Sequence, residues 1–135
     1  MPTRKQLAHL LKVTQSSTGH SARIKAGQSK SKRLAELFDL GCYGRKIPRP
    51  QKELQFVADR RWRFDLAWPI NKVALEVDGG AFMHGGGSHN RGASLRREHE
   101  KMNRAAVEGW RVLHVFPEDL LREDTYRMVV AALSV

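Results

Sequence analysis

Asp65, Glu76 and Asp78 are three carboxylates gathered near the middle of a chain that is otherwise strongly basic. Across 135 residues, 24 Lys and Arg stand against 14 Asp and Glu, leaving a net charge of +10. Acids brought close together need a proton, a basic partner or a cation to be tolerated. Mg²⁺ or Mn²⁺, which take carboxylate oxygens and retain bound water, suit the set Asp65, Glu76 and Asp78. The excess of Lys and Arg points to a polyanion, and DNA is the expected partner. A divalent ion beside a phosphodiester polarises the phosphoryl oxygen, stabilises charge on the leaving oxygen and generates hydroxide from bound water. Two other chemistries compete. Arg63 or Lys72 can neutralise the acids as plain ion pairs, and His84, His89 and His99 can be read as a zinc site, although no cysteine joins them.

The elements that must position the acids follow from alternation. Trp62, Phe64, Leu66 and Trp68 alternate with Arg63, Asp65 and Ala67, and Val73, Leu75 and Val77 alternate with Ala74, Glu76 and Asp78. Both stretches read as strands, joined by the turn Pro69-Ile70-Asn71-Lys72. If one face of this hairpin is buried, a slip of one residue would turn the whole apolar set outward. Trp68 therefore pairs with Val73, Leu66 with Leu75 and Phe64 with Val77. The same register sets Asp65 across from Glu76 and Arg63 across from Asp78, with Cβ atoms about 5 Å apart.

Around this hairpin, 53–58 reads as a further strand, and a Gly-rich segment spans 79–92. Ser94 is placed to cap a helix reaching about Glu108, and Gly109 to end it. The stretch 110–116 is another strand, and 118–134 closes with one or two short helical pieces. Upstream, 3–13 and 31–40 have helical spacing, with Gly41 as a stop, and 14–31 reads as a flexible basic linker. The expected organisation is a basic, partly flexible arm over 1–32 and one domain over 33–135.

The basic charge is uneven. Residues 1–35 hold eight Lys or Arg and no acid, and 45–63 add seven against Glu53 and Asp59. The content of 41% hydrophobic and 28% charged residues is that of a globular chain. No apolar run reaches the ~20 residues of a membrane span, which makes the cytoplasm the expected location. One cysteine, Cys42, excludes an intramolecular disulfide and reads as inert. Trp62, Trp68 and Trp110 share the phase of the apolar stripes and read as core.

Arg63-Phe64-Asp65, then Glu76-Val77-Asp78-Gly79, then Glu100-Lys101-Met102-Asn103 and Gly109-Trp110-Arg111-Val112-Leu113 resemble the PD-(D/E)XK nuclease superfamily. Small phage and prophage endonucleases and very-short-patch-repair-type enzymes are the nearest in kind, and the resemblance covers roughly residues 48–120. It implies an α/β restriction-endonuclease-like core: a mixed central sheet in the order helix-strand-strand-strand-helix-strand, flanked by helices. It also implies metal-dependent phosphodiester hydrolysis. On this resemblance Asp65 is the central metal-binding aspartate, Glu76 is the acid of the (D/E)XK element, and the Val77 carbonyl is a further metal ligand. Asp78 stands where the family has lysine, and Lys101, on the following helix, is the candidate for the displaced positive charge. Ser88-His89-Asn90-Arg91-Gly92 resembles a Gly-His-x-Arg-Gly loop, which makes His89 the candidate general base or phosphate ligand.

The expectation is a Mg²⁺- or Mn²⁺-dependent endodeoxyribonuclease, nicking or junction-selective, with Arg60, Arg61, Arg63, Arg91 and Arg97 on the DNA. A DNA-binding module without catalysis on the same scaffold is the alternative. A homodimer and a monomeric nicking enzyme are both compatible with the sequence.

Overall fold

Four short strands and three helices organise residues 21–79 and 91–135, which the computed structural model describes. In chain order they are α1 (Ser21–Gly44), β1 (Gln51–Gln55), β2 (Arg63–Trp68), β3 (Val73–Val77), α2 (Arg91–Val107), β4 (Arg111–Val115) and α3 (Glu123–Leu133). A single 3₁₀ turn, Pro117–Asp119, precedes α3. The sheet order is β1-β2-β3-β4, antiparallel except for the parallel pair β3-β4, which α2 connects. This is the α/β, mixed-sheet order expected of a restriction-endonuclease-like core. No helix among the described residues is long and apolar enough to cross a membrane.

The register of the central hairpin is the one that burial demands. Trp68 pairs with Val73 and Leu66 with Leu75. Every residue of β3 is buried, because the sheet is covered on both sides. Leu66, Trp68, Val73, Leu75 and Val77 pack with Phe38 and Cys42 of α1 and with Tyr126 and Val129 of α3. Ala67 and Ala74 pack instead with Ala105 of α2, where small side chains let the helix close on the sheet.

Phe64 departs from the alternation. It joins the α2 layer, stacked on Phe56 at 4.1 Å between ring centroids and 4.9 Å from Trp110. The departure coincides with a distortion of the neighbouring strand, where Glu53 takes a left-handed φ of 52°. The β2-β3 Cα pairing stops at Leu66↔Leu75, so the expected pairs Asp65 with Glu76, Phe64 with Val77 and Arg63 with Asp78 do not form.

α1 also differs from expectation. It begins by Ser21, ahead of the predicted start, since Ala, Arg, Lys and Gln favour helix despite the polar look of the segment. It runs through Gly41 to Gly44 because Gly41 answers a packing need: a Cβ there would fall on the Tyr126 hydroxyl and ring of α3. α2 is already helical at Arg91, ahead of the predicted cap Ser94, and ends as expected, with Gly109 at φ 85°. β1 lies two residues earlier than predicted. The N-terminal helix expected over 3–13, and most of the Gly-rich segment, lie outside the described residues.

Candidate active site

Asp65 and Glu76 meet where the β2-β3 ladder ends. The Val77 N–H, which would otherwise continue the ladder, donates to Asp65 Oδ2 at 2.8 Å. The Asp65 N–H lies 3.4 Å from Glu76 Oε2. The two acids thus come together through contacts to each other's strand, just beyond the last paired residues, and not as the directly paired residues that the alternation predicts.

The α2 helix supplies the third member. Lys101 donates its ammonium to Glu76 Oε1, and the pair is deeply enclosed, with side-chain exposures of 13% and 7%. The same ammonium sits 5.5 Å from the centroid of the Phe64 ring, a cation–π contact. Met102 and Ala105, one and four residues along the helix, anchor this face of α2 in the Phe64 layer. Lys101 is therefore paired with an acid of the sheet. Lys72 is elsewhere, donating to the Glu108 carbonyl at 2.6 Å.

The electrostatics are those of an overcrowded acid site. Burial, first, and then the charge of Glu76 push the Asp65 carboxyl up to about 8, with Glu53 adding a smaller push. The Val77 N–H works in the opposite direction. One lysine against two acids leaves a net negative charge when both are ionised.

Asp78 is drawn away from this pair. Its Oδ2 lies 2.8 Å from Nδ1 of His114, on the neighbouring parallel strand. Among the described residues, no three His, Cys, Asp or Glu side chains are grouped to hold a metal. The three-acid cluster expected from spacing is therefore a two-acid pair with Lys101, and Asp78 has a different partner. The reason lies in β4. In the parallel ladder Glu76 pairs with His114, and the imidazole reaches the next acid along β3.

Val77 is buried in the α1–α3 layer. Arg60, Arg61, Arg63 and Arg97 are exposed, and Arg60 lies over the Trp62 ring at 4.9 Å. Trp62 is only partly buried, unlike Trp68. His84 and His89 lie outside the described residues, as does the Arg91 side chain, while His99 is exposed on α2. Cys42 is buried, and burial pushes its thiol up to about 12, an inert setting.

His114 is the residue that sequence reasoning missed. Its strand was legible, but a parallel strand reached through a helix has a register that no turn fixes. Compared with family models, with curated proteins and with solved structures, the chain matches none.

Proposed function

We propose that the protein is a divalent-metal-dependent endonuclease that hydrolyses phosphodiester bonds of DNA. The observation that carries this reading is the contact of Asp65 and Glu76 at the end of the hairpin ladder, with Lys101 against Glu76. Two carboxyl groups crowded together out of water are poor structure and good ligands.

The donor set suits Mg²⁺ or Mn²⁺, since such ions are commonly held by one or two carboxylates, with water and substrate phosphate completing the shell. Asp65 and Glu76 would hold the ion, which supplies Lewis-acid activation of the phosphate and of water. Lys101 fixes the Glu76 carboxylate and places a positive charge beside the position of the phosphate. Arg60, Arg61, Arg63 and Arg97 offer exposed cations for the backbone, and the +10 net charge makes binding steeply salt-dependent.

A DNA-binding module without catalysis is favoured by one observation, that Asp78 pairs with His114 instead of joining the acid pair. A cleavage panel separates the two readings. Single-stranded, duplex, nicked, flap and four-way-junction DNA are incubated with Mg²⁺, Mn²⁺ or EDTA. The nuclease reading predicts cleavage of at least one substrate with Mg²⁺ or Mn²⁺ and none with EDTA. Tight binding of the panel without any cleavage supports the module.

A further inference from the structure

We propose that the indole of Trp62, with Arg60 over it and Arg61 and Arg63 beside it in the chain, is a stacking site for an unpaired nucleobase of single-stranded DNA. The inference rests on the DNA partner proposed above and deepens it by naming the form of DNA that this face takes.

Trp62 is not the core residue that its phase predicts. Trp68, which is buried, gives its indole N–H to the Pro48 carbonyl at 2.7 Å. Trp62 is only partly buried, joins neither core cluster among the described residues, and gives its N–H to none of them. Its ring contacts are Phe56, near-parallel at 16° and 6.4 Å between centroids, and the Arg60 guanidinium at 4.9 Å.

Phe56 and Trp62 stand at the two ends of the β1–β2 connection, one step beyond the last pair of that ladder, Gln55 with Arg63. Phe56 stacks in turn on Phe64, whose ring lies 5.5 Å from the Lys101 ammonium. One aromatic column therefore joins the lysine of the acid site to the exposed guanidinium of Arg60.

The connection is tied down at two points. Gln55 donates its side-chain amide to the carbonyls of Val57 at 3.1 Å and Arg60 at 2.8 Å. Arg104 of α2 grips Asp59 through both terminal nitrogens, at 3.2 and 3.0 Å. That grip removes the acid between Phe56 and Arg63 from competition for the neighbouring arginines. Arg60, Arg61 and Arg63 are exposed and form no ion pair among the described residues. A face held in place before binding loses less freedom when it binds.

The chemistry of the face names its ligand. Guanidinium groups take phosphate oxygens, and an accessible aromatic face takes a base by stacking. A duplex offers the same phosphates but keeps its base faces inside its own stack. It can use the arginines and not the indole, whereas a single strand can use both.

The test measures binding of the full chain in EDTA, by fluorescence anisotropy, to oligothymidylate, to an abasic oligomer of equal length and charge, and to a duplex. Wild type should bind oligothymidylate about tenfold more tightly than the abasic oligomer. Trp62→Ala, shown by thermal melting to be folded, should lose about tenfold on oligothymidylate and almost nothing on the duplex. Trp62→Phe should keep most of the affinity. Arg61→Ala should weaken both and reduce the single-strand slope of log K against log salt by about 0.7. Trp62→Ala should leave that slope unchanged, which separates stacking from a general loss of the basic surface. Equal wild-type affinity for oligothymidylate and the abasic oligomer overturns the proposal, and that comparison needs no variant. So does a folded Trp62→Ala that binds oligothymidylate as wild type does, or that weakens equally on the duplex. Each of these results leaves the nuclease reading intact. A wild-type protein that binds neither single-stranded nor duplex DNA overturns the DNA reading itself, and this site with it.

Discussion

Towards α1 and α3 the sheet presents Leu66, Trp68, Val73, Leu75 and Val77, all apolar and buried. Towards α2 it presents Ala67 and Ala74, and on that side Glu76 meets Lys101. The first layer spends its burial on transfer of apolar surface, worth ~25 cal/mol per Å². The second spends part of its burial on charges whose desolvation works against folding. One strand, β3, serves both, since its odd residues face one helix layer and its even residues the other. Apolar packing and the charged pair are thereby separated by a single pleat.

The largest expected effect is on activity and comes from the charged layer. Asp65→Ala and Glu76→Ala should each lower Mg²⁺-dependent cleavage by on the order of 10³-fold, because a divalent ion contributes several kcal/mol to such a transition state. Filter-binding measurements should show DNA affinity little changed. Next comes the apolar layer. Leu75→Ala, fully buried, should cost about 3 kcal/mol in a denaturant titration, while cleavage per folded molecule is retained. A Leu75→Ala variant that folds normally but cannot cleave would erase the distinction between the layers.

Gly41→Ala sharpens the comparison within the apolar layer. Its Cβ would collide with the Tyr126 ring, so α1 and α3 must separate, at about 1–3 kcal/mol in the same titration.

A smaller effect runs the other way. The Asp65 carboxyl is raised from its ordinary value of 3.8 to about 8, so the folded metal-free protein holds a proton that the unfolded chain releases. The stabilisation is complete below pH ~4, declines as pH rises between the two values, and is gone above about 8. Melting in EDTA should therefore show Tm falling across this window from this group. Asp65→Asn, which cannot ionise, should flatten that fall and raise Tm at pH 8 by about 3–6 °C. An unchanged pH profile in Asp65→Asn would show that the acids are not crowded. The smallest effect is expected of the exposed Arg45–Glu123 pair at 2.6 Å, where Glu123→Ala should leave Tm almost unmoved.

What the sequence made legible divides along the same line. Alternation and a short turn determined the β2-β3 register as far as Trp68 against Val73 and Leu66 against Leu75, which leaves Asp65 and Glu76 as the next residues beyond the last pair. Lys101 was placed on the right helix, but its partner was not, because reaching Glu76 depends on how α2 lies across the sheet. Asp78 was misgrouped for a related reason. Its position on β3 was clear, whereas the approach of His114 depends on a parallel register set by tertiary packing. Gly41 was misread as a helix stop, since the Tyr126 ring that requires it is far away in the chain. Phe64 was assigned to the wrong layer because alternation fails beside the distorted Glu53.

The most direct test of the account is a nicking assay on supercoiled plasmid, with wild type, Asp65→Asn and Glu76→Gln run side by side in Mg²⁺ and in EDTA. The account predicts relaxed or linear product from wild type in Mg²⁺ alone, and none from either folded variant. Product that persists in EDTA, or equal product from all three proteins, would contradict it.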